Sequence, residues 1–151
     1  PNHLDMVRRR KHGYLEALRE NRIPIDRNLV ACGKIDYDFA LQSTVNLLKR
    51  EDRPDAILAF NDIITFAAFN AIKQVGLRIP DDVALIGFTD DVHAAYVTPR
   101  MSVIEDQAQL MGVTACQLLF KNINGDQTIY KEIVPQKLVI RETSAKDRNL
   151  P

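Results

Sequence analysis

Apolar positions along the chain fall into two patterns. Short unbroken runs stand at Leu29–Gly33 (LVACG), Ala56–Phe60 (AILAF) and Val83–Phe88 (VALIGF). Between them apolar residues recur at helical spacing. A strand with no polar alternation is one covered on both faces, so the pattern predicts an α/β fold with a parallel sheet. Ala56 to Asp91 reads as strand, helix, strand. The helix runs from about Asp62 to Val75 and closes at Gly76, and Pro80-Asp81-Asp82 turns the chain into the next strand. Each strand stops at a polar cluster, Asn61-Asp62 and Thr89-Asp90-Asp91. In a parallel βαβ unit both clusters lie at carboxyl ends of strands, where open α/β sheets place ligand sites.

The rest of the pattern supplies further elements. Asp5 is a plausible cap for a helix to about Glu20, with Val7, Tyr14, Leu15 and Leu18 on one face. Arg8, Arg9, Arg10 and Lys11 crowd its first turns. Arg8 and Arg9 read as a solvated edge, whereas Arg10 borders the buried face and is placed to reach over the sheet end. A helix to about Arg50 follows the Leu29–Gly33 strand and breaks at Glu51-Asp52-Arg53-Pro54. The helix after Asn61 is unusually apolar, with Ile63, Ile64, Phe66, Ala67, Ala68, Phe69, Ala71 and Ile72. That stripe exceeds what one sheet face covers, which implies a further layer or a partner subunit. Val92–Val97 reads as a turn or short helix, Ser102–Ile104 as a strand and Gln107–Asn122 as an amphipathic helix. Ile129–Ile140 reads as two strand-like pieces divided by Pro135.

Composition narrows the classes. The chain has 151 residues, 46% of them hydrophobic, with 20 Lys+Arg against 20 Asp+Glu. Zero net charge argues against binding nucleic acid or an anionic membrane by bulk charge. No apolar run is long enough to span a bilayer and no secretory signal pattern is present, so a cytoplasmic protein is expected. Cys32 and Cys116 are expected to be reduced thiols in the core. No phosphate-binding or hydrolase motif occurs, and His3, His12 and His93 share no ligand spacing with the cysteines, so neither an enzyme, a cofactor nor a metal site is expected. What remains is Arg10, Asn61, Asp62, Thr89 and Asp90 around one rim. Amide, hydroxyl, carboxylate and guanidinium together suit a neutral polyhydroxylated ligand.

Several stretches carry a resemblance: RKHGYLEAL from Arg10, PDAILAFND from Pro54, GLRIPDDVALIGF from Gly76, YVTPRMSVI from Tyr96 and VPQKLVIRETS from Val134. Together they resemble the lactose-repressor (LacI/GalR) family of bacterial transcription regulators over roughly Arg10 to Ser144. The resemblance implies a periplasmic-binding-protein-like type I fold, a doubly wound parallel sheet, and the later half of a two-lobed effector domain. Residues 1–104 would belong to the C-terminal lobe, 105–136 to hinge and N-terminal lobe, and 137–151 to the return to the C-terminal lobe and a tail. Arg10 and Asn61 resemble residues that hold ligand hydroxyls. Ile35 stands where an aromatic often packs on the ligand, and Thr89, beside Asp90, where many members carry aspartate. Ile63, Phe66, Asn70 and Tyr96 resemble a homodimer surface. The implied partners are a sugar-like small-molecule effector, a second copy of the chain, and operator DNA through a helix-turn-helix that this chain lacks.

Two other readings compete. A periplasmic sugar-binding protein of a transport system shares the fold; it predicts a monomer, against which the over-apolar helix argues. A flavodoxin-like enzyme or receiver domain is favoured only by Asp90-Asp91, a pair able in principle to hold Mg²⁺ at a strand end.

Overall fold

The computed structural model describes residues 5–89 and 92–145. Strands β1 (Ala56–Ala59), β2 (Ala84–Phe88), β3 (Ser102–Glu105) and β4 (Lys137–Val139) form one open sheet in that order. β1, β2 and β3 are parallel, with Leu58 opposite Ile86 and Gly87 opposite Val103. β4 adds an antiparallel edge to β3. The helices are α1 (Asp5–Glu20), α2 (Tyr37–Leu48), α3 (Asp62–Gln74) and α4 (Ala108–Ile123). The βαβ unit expected from the apolar runs is therefore β1-α3-β2.

Local chemistry fixes the ends of α3. Asn61 is extended and its side-chain oxygen accepts from Ile64 N–H at 3.0 Å, satisfying one of the helix's orphan donors. At the other end Gly76 takes φ 78°, and Gly76 and Leu77 donate back to Lys73 and Ile72 carbonyls. That closure needs a residue content with positive φ, which glycine supplies. The buried side of α3 holds Thr65, Ala67, Ala68, Phe69, Ala71 and Ile72. It packs on β1 and β2, and α2 runs alongside it. Asp36 caps α2 through Phe39 N–H at 2.8 Å.

The core lies between this helix pair and the sheet. Ile72, Val83, Leu85, Met101 and Val103 are at most 2% exposed. Each such burial stabilises by about 1.5–3 kcal/mol. By contrast α1 and α4 have no buried residue, so the β1–β3 half carries the stability. The backbone of β2 presses closely on α3: a Cβ on Gly87 would sit 2.1 Å from Thr65 Oγ1. The later segment is tied in by Thr143. Its hydroxyl accepts from Ser102 N–H at 2.8 Å and donates to Leu85 O at 2.7 Å, spanning β2 and β3.

Several expectations are corrected. Leu29–Gly33 is not a strand. A 3-10 turn at Arg27–Leu29 leads into irregular chain, and a cleft of about 520 Å³ lies between α1, this segment, α2 and β1. No ladder joins this segment to β1 across that cleft, and a strand exists only by pairing. The same cleft leaves Leu58 of β1 45% exposed, so the sheet is not closed on both faces. Residues 129–134 form no strand either. Ile129 is 97% exposed, and Tyr130 turns back to donate to Asp126 Oδ2 at 2.6 Å. Cys32 and Cys116 are exposed free thiols rather than core residues, because the cleft and the open face of α4 leave both segments uncovered. Asp5 is itself helical rather than the cap, and it pairs with Arg8 and Arg9, which hold its carboxyl below the usual carboxylate range.

Candidate functional site

Three parallel strands end on one rim: β1 at Phe60-Asn61, β2 at Phe88-Thr89 and β3 at Glu105-Asp106. Helix α1 delivers Arg10 to it. Val7, Arg10, Tyr14 and Leu18 form the half-buried stripe of that helix, spaced three and four residues apart. The Arg10 guanidinium lies 4.0 Å from the Phe88 ring centre and 5.2 Å from that of Phe60. Stacking of this kind holds a planar cation at the cost of little freedom. Arg10 Nη1 donates to Phe60 O, and Nη2 lies 3.3 Å from both oxygens of Asp106. The Arg10 side chain is only 13% exposed, whereas that of Asp106 is 45% exposed.

Asp106 is also bound by Gln136 Nε2, and Gln107 Nε2 donates to Pro135 O. Gln107 takes φ 55° with no side-chain cap for α4, its amide being spent on that cross-link. The two connections that leave and re-enter this half of the fold are therefore joined at the rim.

The other expected residues distribute as follows. Asn61 sits at the rim, where its Oδ1 is committed to the α3 cap and its Nδ2 is left to donate. Asp62 is exposed and accepts from Ile63 N–H. Thr89 is buried, 5% exposed, with its N–H on Ile104 O at 3.3 Å, so it offers a ligand little surface. Ile35 is half-buried in the wall of the cleft that Arg10 also lines. Asp90 lies outside the described residues. On the other side of α3, Ile63 is 45% and Tyr96 81% exposed, Phe66 is half-buried against the core, and Asn70 donates to Tyr37 OH at 2.9 Å.

Phe60, Phe88 and Asp106 were missed by pattern reading. Phe60 and Phe88 each close an apolar strand run at the carboxyl side, next to Asn61 and Thr89, whereas Asp106, beyond Glu105, carries no such local signal. Among the described residues no cluster of His, Cys, Asp and Glu could hold a metal ion, and no helix is long and apolar enough to cross a membrane.

The family profile for the periplasmic binding protein-like domain matches residues 1–144. A regulatory protein of the LacI family from Chloroflexus aggregans superimposes with a TM-score of 0.82 at 30% identity, covering 90% of this chain and 50% of that one. The chain is a periplasmic-binding-protein-like domain of the LacI type. A solved complex of the transcriptional regulator CelR with cellobiose aligns to this LacI-type domain at TM-score 0.78 and 32% identity, over 89% of this chain and 42% of that one. The probable HTH-type transcriptional repressor ExuR of Bacillus subtilis is 35% identical over 125 residues, 83% of this chain and 38% of that protein. The LacI-type domain thus spans less than half the length of the curated relatives it matches.

Proposed function

We propose that this chain is the effector-binding and dimerising portion of a cytoplasmic LacI-type transcription regulator. The observation that carries the reading is the rim itself. Arg10, Asn61 and Asp106 converge at the carboxyl ends of three parallel strands, beside the joined connections at 106–107 and 135–136. Open α/β sheets bind small ligands there. A ligand that contacts Arg10 and Asn61 on one side and the segment beyond the connections on the other biases how the lobes close. A conformational change follows only from such differential contact. In a dimer that closure shifts the spacing of DNA-binding modules carried elsewhere in the regulator, so ligand and operator affinities are coupled.

A sugar-like effector fits the donors and acceptor of the rim, and the CelR relative is solved with cellobiose. Exposed Ile63 and Tyr96, with Phe66 and Asn70 three and seven residues beyond Ile63 on α3, form the face assigned to the second copy. Calorimetry of the regulator carrying this chain, against a panel of sugars and sugar phosphates, tests the reading. Loss of heat in both Arg10→Gln and Asn61→Ala supports it; affinities equal to wild type in both remove the site. Sedimentation of the regulator with Tyr96→Asp tests the dimer face, the expected result being dissociation to monomer.

A further inference from the structure

Arg10 is a cation placed over the strand ends, and an anionic ligand would be expected to seek it. Its surroundings argue otherwise. Each of its terminal nitrogens already donates, Nη1 to Phe60 O and Nη2 to Asp106, which leaves part of its five N–H donors for a ligand, and the rings of Phe60 and Phe88 lie against its faces. Of the Arg10–Asp106 pair, the arginine is the covered member and the carboxylate the open one, 13% against 45% exposed. A ligand approaching the rim therefore meets the acid first. Asn61, whose oxygen is bound to Ile64 N–H, presents only its neutral Nδ2 donor beside the acid.

We propose that Asp106 sets the charge selectivity of the effector site: paired with Arg10, it admits uncharged polyhydroxylated ligands and excludes carboxylated or phosphorylated ones. The inference rests on the effector-site reading above. A sugar hydroxyl donates to the Asp106 carboxylate and accepts from Asn61 Nδ2, so one diol satisfies both. A carboxylate or phosphate can accept from Asn61 Nδ2 but has no proton for Asp106, and it meets like charge there. The group is read through the ion pair rather than through strand-end acidity alone, since Gln136 also holds Asp106 in position.

The test uses inorganic sulfate, which needs no knowledge of the effector. Sulfate is exchanged for chloride at matched ionic strength while the Arg10 guanidinium resonance is followed by NMR in the 151-residue chain. Asp106→Asn keeps the oxygen that Arg10 and Gln136 donate to and removes the charge. It is expected to bind sulfate at least about tenfold more tightly than wild type. Asp106→Glu should exclude sulfate as wild type does, and Arg10→Gln with Asp106→Asn should abolish the gain. Asp106→Ser stands in if circular dichroism shows the asparagine variant unfolded. Equal sulfate affinity in wild type and the uncharged variants overturns the proposal, as does a gain that survives loss of Arg10. Failure here with neutral-sugar binding still lost in Arg10→Gln would leave the effector reading standing and remove only the charge role. Failure of the sugar titration with the sulfate gain intact would do the reverse.

Discussion

Two separable duties are assigned to Asn61. Its oxygen caps α3 through Ile64 N–H at 3.0 Å, and its Nδ2 is the donor assigned to the ligand. Asn61→Ala removes both. The cap is worth about 1 kcal/mol, within a range of about 0.5–2. For a chain of this size that lowers Tm by about 2–4 °C per kcal/mol. Asn61→Asp keeps the acceptor and adds negative charge at the helix start, a gain of about 0.3–1 kcal/mol. Asp62 beside it opposes that gain by like-charge repulsion, so the stability of Asn61→Asp should match wild type closely. Both variants lose the Nδ2 donor. A neutral hydrogen bond contributes about 0.5–1.5 kcal/mol, so affinity for a sugar effector should fall about 3–10-fold in each. Thermal unfolding and titration calorimetry on the same samples make the comparison. An aspartate variant with wild-type stability and wild-type affinity would refute the donor role. An alanine variant with unchanged Tm would refute the cap.

Three further outcomes are expected. Gly87→Ala places a methyl 2.1–2.7 Å from three atoms of fully buried Thr65, whose hydroxyl is bonded to Asn61 O. It should destabilise by about 1–3 kcal/mol in denaturant unfolding, and adding Thr65→Ala should recover part of that loss. Thr143→Val strips Ser102 N–H and Leu85 O of their side-chain partner in a fully buried position, and a loss of about 2 kcal/mol or more is expected because such groups are left unpaired. Arg78 side-chain and backbone donors beside Asp82 lower its carboxyl to about 2. A depressed carboxylate contributes stability that is complete above its unfolded value and lost as pH falls through its folded one. Acid titration should therefore show wild type losing its margin over Asp82→Asn between roughly pH 4 and 2; a margin unchanged over that window would contradict the assignment.

The β1-α3-β2 unit was legible because everything that specifies it is local: two unbroken apolar runs, a capping asparagine and a glycine stop. Arg10 was legible for a similar reason, its position on the apolar stripe of α1. Leu29–Gly33 has the same composition as the true strands, yet pairing is a property of neighbours, and across the cleft it has none. Residues 129–134 fail as a strand on the same ground. Asp106 escaped notice because its meaning lies in a partner 96 residues away. Its neighbours Glu105 and Gln107 read as the polar start of a helix, and nothing local distinguishes a cap from a site. Thr89 shows the converse. A strand-end position suggested a ligand contact, but packing against β3 buried it.

The central claim is that Arg10, held over three strand ends, binds the effector. The direct measurement is calorimetric titration of the regulator with neutral sugars, cellobiose among them, for wild type and Arg10→Gln, with circular dichroism to establish that both are folded. A hydrogen bond to a charged donor contributes about 1.5–3 kcal/mol, so the account predicts that the variant binds at least about tenfold more weakly. A folded Arg10→Gln protein with wild-type affinity would contradict it.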